Sequence, residues 1–461
     1  MSDLPKGWVK VSLGQILELK YGKSLPAKVR TGQGVPVYGS NGVVGFHSDA
    51  LISQSGLIVG RKGSFGVVHR CDEPFFPIDT TYFIDEFHDQ PISYWYHFLR
   101  YLPLTAMNRS TAIPGLNRED AYGLEFGLPP LNEQFRIADK LDSMLAKVDA
   151  AQARLDKIPN ILKRFRQSVL AAATSGELTK EWREENNHSA LTSKEIEQLW
   201  INHYKKTGVK YKNPTFPLTD KEIEDLPAEW LATRLGDACD IFVGSTPSRK
   251  NTAYWGGEIP WVSSSEVAFC HINSTKEKIS DLGLKNTSTK MHPKGTVMLA
   301  MIGQGKTRGQ PAILDISACH NQNTAAIRVL PEIIESEYLY YFLWRQYEET
   351  RKVGAGNNQK ALNKSIVQGF FLPLPSIEEQ KEIVRRVESL FTMADTVEKQ
   401  YKDAKARTNR LTQSILAKAF CGELVPQDDN DEPASELLAR IKAASDNLTS
   451  KPKMAKKGSA K

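Results

Sequence analysis

Cysteine is sparse in this chain of 461 residues: five occur (Cys71, Cys239, Cys270, Cys319 and Cys421), an odd number with no CxxC pair. That argues against a disulfide framework or a zinc site and suits a reducing cytoplasm. No apolar run approaches the roughly 20 residues that span a bilayer, and nothing at the start reads as a signal peptide, so no membrane role is expected. A large excess of one charge is also absent. The formal net charge of +6 permits a polyanionic partner without requiring one.

Catalytic motifs are equally scarce. "AMIGQGKT" (300–307) ends like a phosphate-binding loop, but GxxxxGK[ST] needs glycine where Ala300 stands. "CHNQNT" (319–324) is a lone Cys-His pair without convergent carboxylates, and the nine histidines form no HxxxH spacing. "LPPL" (128–131) lacks the acid or amide and the aromatic of an amino-methyltransferase motif. No S-adenosylmethionine glycine motif and no nuclease carboxylate cluster is visible. These absences leave a binding and scaffolding device rather than an enzyme, with no catalytic residue, metal or cofactor on the chain.

What the sequence does contain is a repeat. Residues 111–178 lie on 357–424 without a gap, so that "RFRQSVLAAATSGEL" (164–178) meets "RLTQSILAKAFCGEL" (410–424). Upstream, "LPKGWVKVSLGQI" (4–16) meets "LPAEWLATRLGDA" (226–238), and the aromatic helix 93–102 meets 337–346. Each half opens with short β-like runs between glycine, asparagine and serine turns, which reads as an α+β globule (1–127 and 226–371). The aromatic helices are expected to be core rather than base-stacking platforms.

Each half closes with a long helix, at 128–178 and 372–424, in which apolar residues recur at steps of seven. In the first copy Leu141, Val148, Leu155, Leu162 and Val169 share one heptad position; in the second Ile383, Leu390, Val397 and Leu411 do. A partner row passes through Val387, Ala394, Tyr401 and Ile415. Such a pattern predicts a coiled coil. The natural partner for each helix is its own repeat, giving an antiparallel pair with pseudo-twofold symmetry and the two globules held apart by about 60 Å of helix. Pro159 should kink or break the first helix, and Gly176 and Gly422 should end both. A charged connector (179–225) joins the halves. A tail (425–461) ending in "KPKMAKKGSAK" reads as flexible.

Two loops recur at matched places in both halves. Arg61, Lys62 and Ser64 sit on the glycine loop "GRKGSFG", and Lys306, Thr307 and Arg308 on its counterpart. The second pair is "NRSTAIPGLN" (108–117), with Arg109, Ser110 and Asn117, and "GAGNNQKALN" (354–363), with Asn357, Asn358 and Gln359. These side chains suit base edges and phosphates.

This two-copy pattern resembles the specificity subunit of type I restriction–modification systems, most of all the enterobacterial K-type (type IA) family. The resemblance rests on "LPPLNEQFRIADKLDSMLAKVD" and its repeat "LPSIEEQKEIVRRVESLFTMAD", with "YGSNGVVGFH" (38–47) and "YWGGEIPWVSSSEV" (254–267) in the globules. It implies two target-recognition domains, each reading half of an asymmetric bipartite sequence in double-stranded DNA. It also implies that the helices dock two modification (methyltransferase) subunits, and through them restriction subunits. S-adenosylmethionine, ATP and Mg would then sit on those partners. The competing readings are a coiled-coil scaffold without a DNA role, and an enzyme using the 300–307 loop as a nucleotide site.

Overall fold

The runs "GLIVG" and "VMLA" are apolar throughout, and each becomes a strand buried on both faces inside a small antiparallel sheet. The computed structural model describes residues 4–108, 114–206, 216–303, 306–352 and 362–449. The chain forms two units, residues 1–156 with 401–461 and residues 157–400.

In the first unit the strand order is Lys20–Tyr21, Thr81–Ile84, Gly56–Gly60, Val68–Cys71. In the second it is Asp240–Val243, Thr324–Arg328, Val297–Ala300, Pro311–Leu314, with Cys270–Ile272 added in parallel at the edge. Each unit has a companion three-stranded sheet, built on Val35–Gly39 and on Trp255–Val262, and in each a short parallel strand closes one side. A strand pair ties the start of each globule to its end: Val9–Ser12 with Glu125–Leu128, and Leu231–Arg234 with Phe371–Leu374. The aromatic helices are core in both. Ile92–Tyr101 buries Tyr94, Trp95 and Phe98, and Ser336–Lys352 buries Tyr338 and Phe342.

The first long helix is two helices, Leu131–Leu155 and Ile158–Ser175, with Pro159 in the first turn of the second. A proline there needs no amide hydrogen, whereas mid-helix it would leave a carbonyl unpaired. Lys405 stands at the matching place in the other repeat, and that helix runs unbroken from Ile377 to Phe420.

Within each unit the helices run antiparallel. In the second, Arg166 meets Asp395 and Glu398, while Arg183, further on, meets Glu379, further back. In the first, Asp156 meets Lys405 and Arg136 meets Asp431.

Leu141, Val148, Leu162, Val169 and Ile383 are buried, and Leu155 and Leu390 are half-buried. Val397 and Leu411 are not in the seam: they are 41% and 51% exposed. Ile383 is buried as part of the globule's core, with Ile333, Tyr338 and Leu372. The buried row is the other one: Val387 lies in the same core as Ile383, Ile415 lies in the first unit's core, and Ala394 between them is also buried.

Both helices end on a left-handed glycine, Gly176 at φ 82° and Gly422 at φ 83°. Each packs on a proline from the start of a globule. A Cβ on Gly176 would stand 2.5 Å from Pro227 Cγ, and one on Gly422 2.5 Å from Pro5 Cγ. Gly176→Ala or Gly422→Ala should therefore destabilise its unit by about 1–3 kcal/mol, from backbone strain and ring contact together. Urea unfolding checks this; a shift under a few tenths of a kcal/mol would contradict it.

The tail is not flexible throughout. Ala434–Thr449 is a helix whose Ala434, Leu437 and Ile441 lie in the first unit's core. Its apolar spacing of three and four gives it a face to bury. The connector does the same in the second unit: Ser193–Lys205 buries Ile196 and Trp200, and Trp200 Nε1 donates to Ala238 O at 3.2 Å.

Candidate nucleic-acid interface

In each half a described end of the second sequence-predicted loop hydrogen-bonds to the start of the glycine loop. In the first unit the glycine loop leaves the central strand at Gly60, where a Cβ would stand 2.2 Å from Ser64 O, so only glycine lets the loop close. Gly63 N then donates to Pro114 O at 3.1 Å, and Leu116 N donates to Arg61 O at 2.9 Å. In the second unit Leu362 N donates to Met301 O at 3.1 Å. Leu116 and Leu362 are matched residues of the repeat, so one joint recurs in both halves.

Lys62 and Ser64 are exposed, and Arg61 is half-buried. Arg61 donates through Nε and Nη2 to Asp79 O at 3.2 and 2.8 Å. Asn117 is exposed, but its Oδ1 accepts from Glu119 N at 2.8 Å and so caps a short helix. Its amide nitrogen is what remains to offer. Asn363 caps in the same way in the other half, through Ile366 N at 2.9 Å. Arg109, Ser110, Asn357, Asn358 and Gln359 lie outside the described residues.

Sheet register corrects the matching of the glycine loops. Gly60 pairs with Thr81, and Ala300 with Thr324, so Arg61 corresponds to Met301 and Lys62 to Ile302. Lys306, Thr307 and Arg308 stand further along a longer loop. Lys306 is exposed and its carbonyl accepts from the Tyr347 hydroxyl at 3.0 Å; Thr307 and Arg308 are half-buried.

Sequence reading missed Tyr21 and Arg118. Tyr21 is 51% exposed, with the Arg61 and Arg118 guanidinium carbons each 5.2 Å from its ring centroid. Beneath it burial and the neighbouring Tyr21 hold the Tyr82 hydroxyl up at about 12, so it stays protonated and donates to Leu116 O at 3.2 Å. An aromatic followed by glycine at a strand end was the available signal. Without the sheet, nothing in the sequence joined it to residues 40 and 97 positions away.

"CHNQNT" is core. Cys319 and His320 are buried, burial pushing the thiol up to about 12 and the imidazole down to about 4. His320 Nδ1 lies 2.7 Å from Thr324 Oγ1. Among the described residues no three His, Cys, Asp or Glu side chains come together as a metal-holding group, and no helix is long and apolar enough to cross a membrane. What the exposed joint offers is cationic and amide donors on a rigid frame, an arrangement for binding and not for bond-making.

A family model, type I restriction modification DNA specificity domain, matches residues 5–160 and 227–405. The chain is 32% identical over 462 residues to the type I restriction enzyme EcoDI specificity subunit of Escherichia coli, covering 95% of this chain and 96% of that one. It is 34% identical over 411 residues to the EcoBI specificity subunit of Escherichia coli, covering 84% and 79%. Among solved structures, a chain from work on complex assembly and conformational transition of the type I R-M system aligns at TM-score 0.58 and 19% identity, over 92% of this chain and all of that one. The HsdS subunit from Thermoanaerobacter tengcongensis aligns at TM-score 0.50 and 19% identity, over 92% and 98%. These two likenesses concern the fold.

Proposed function

The chain belongs to the type I restriction–modification DNA specificity family, as a non-catalytic subunit that recognises a DNA target, and from that premise we propose how its two halves work. Each globule reads one half of a split, asymmetric duplex sequence through its joined loops. The paired helices dock two modification subunits, one on each matched surface, and restriction subunits join through them. S-adenosylmethionine, ATP and Mg act on those partners in the cytoplasm, and none on this chain. The observation that carries the reading is the loop joint, Arg61 O with Leu116 N and Met301 O with Leu362 N, at matched places in the two globules. Surface loops held in place by a rigid scaffold are where binding residues concentrate.

Co-expression with the cognate modification subunit, followed by mapping of methylated adenines in host DNA, tests this. A bipartite asymmetric motif is expected, and methylation without one would overturn it. Binding that does not weaken with salt would instead favour a scaffold without a DNA role. Replacing Arg61 and Lys62, or Lys306 and Arg308, by alanine should weaken DNA binding by the assembled methyltransferase. A lost base contact relaxes one position at about 1–3 kcal/mol, and a lost phosphate contact lowers the salt slope by about one. Unchanged affinity and target would place these loops away from DNA.

A further inference from the structure

Three elements of the first recognition domain converge on one exposed ring. Tyr21 ends an edge strand, Arg61 comes from the glycine loop, and Arg118 follows the Asn117 cap of the second loop. Both guanidinium groups lie 5.2 Å from the Tyr21 centroid, within the range of a cation–π contact. Arg118 also lies 5.5 Å from the Tyr122 ring. Carboxylates do little to offset this charge. Arg61 forms no ion pair with a described residue, its partner being the Asp79 carbonyl. Arg118 has Glu119 at 3.5 Å, with the Glu119 side chain 74% exposed. Like charges gathered on one ring repel, and an anion between them turns that repulsion into attraction.

The fold does not require cations here. Tyr21 pairs with Tyr82 as Val243 pairs with Ala325, so valine holds the matching place in the second half. Met301 stands where Arg61 does, by the register already given. Only the position after the capping asparagine keeps a cation, as Lys364. The second globule has the same sheet order with this guanidinium–ring set removed, so that order does not depend on it.

We propose that Tyr21, Arg61 and Arg118 form a phosphate clamp that fixes the first recognition domain on the DNA backbone. Tyr21 is the positioning residue. Its ring holds two guanidinium groups at one point, and the Asp79 carbonyl fixes the first. With Nε and Nη2 so engaged, one donor fork of Arg61 is occupied, and what the clamp supplies is concentrated charge more than a base-reading pattern. The proposal rests on the chain being a DNA-recognition subunit, and it makes the two halves unequal. The first grips the backbone at a point where the second does not.

The test uses the assembled methyltransferase with this full chain. Its affinity is measured on the mapped target duplex, and on duplexes changed at single half-site positions, between 50 and 200 mM salt. Arg118→Ala and Tyr21→Val should each lower the log–log salt slope by about one. The affinity ratio across that salt range then shrinks roughly three- to four-fold. The loss should be equal on all duplexes, and Tyr21→Phe should retain wild-type behaviour. Valine is compatible with the strand, since Val243 occupies the matching position, and Arg118→Ala gives an independent reading. A wild-type slope in both variants would overturn the clamp alone. So would a loss confined to one base pair, which would assign these residues to base reading. If the wild-type assembly itself shows no salt-dependent binding, the recognition function falls first.

Discussion

Glu379→Ala should destabilise the second unit by about 3–5 kcal/mol, the range for removing one partner of a buried ion pair. Glu379 is fully buried, and its Oε1 accepts from Thr179 Oγ1 and Arg183 Nη1, both at 2.7 Å. Its Oε2 accepts from Trp230 Nε1 at 2.9 Å. Alanine would leave the Trp230 indole donor without its acceptor and take from the Arg183 guanidinium, whose side chain is only 10% exposed, its shortest carboxylate contact, with Gly176 O at 3.2 Å and Glu229 at 3.5 Å still in place. Glu133 holds the matching place in the first unit, accepting from Trp8 Nε1 at 2.9 Å and more weakly from Gln427 at 3.4 Å. Among the described residues no cation hydrogen-bonds to it there, and burial pushes its carboxyl above the ordinary range. The folded state therefore holds this proton to higher pH than the unfolded state does. Stability drawn from the site is present at low pH and declines as pH rises through the raised value. Glu133→Gln should remove that decline at a cost of about 1 kcal/mol, the worth of a typical buried hydrogen bond. Urea unfolding followed by tryptophan fluorescence compares the two. Equal, small shifts for Glu379→Ala and Glu133→Gln would contradict the account.

Residues 1–225 alone, expressed with modification subunits, should methylate a split palindrome made of the first half-site twice, inverted. In the full chain the first globule is completed by residues 401–461 and the second by residues 157–225. The fragment therefore carries a globule lacking its covering helices, and helices lacking their globule. A second copy can exchange them. Gly176 would take the place of Gly422 against Pro5, and Ile196 and Trp200 that of Leu437 and Ile441. The dimer so formed is symmetric, and twofold symmetry in a protein is mirrored by palindromy in its site. Methylome sequencing reads the result. An active fragment that still modifies the original asymmetric site would refute the exchange.

Much of this was legible in the sequence. Two halves, each an α+β globule followed by a long helix, follow from repeat and periodicity, and so does the helix break at Pro159. The loops were found because they recur. The heptad row through Val397 and Leu411 misled, because periodicity records where a helix has apolar residues and not which neighbour covers them. Ile383 and Val387 are both buried in the second unit's core and Ile415 in the first unit's, while Val397 and Leu411 lie on a face that neither core covers. The tail misled for a related reason: its basic end hid a helix with Ala434, Leu437 and Ile441 on one face.

By itself the sequence determined what depends on local order along the chain: the tandem architecture, the helix boundaries set by proline and glycine, and the absence of intact catalytic motifs. Local backbone preference and spacing suffice for these, since each is settled within a few turns or by comparison of one stretch with another. Tertiary structure decided which distant residues share a point in space. It brought Tyr21, Arg61 and Arg118 to one ring and matched Arg61 to Met301 instead of Lys306. It also had each globule closed by the helix end that follows the other. Those contacts are fixed by strand register and by burial of apolar faces across large separations in the chain, which no local pattern encodes.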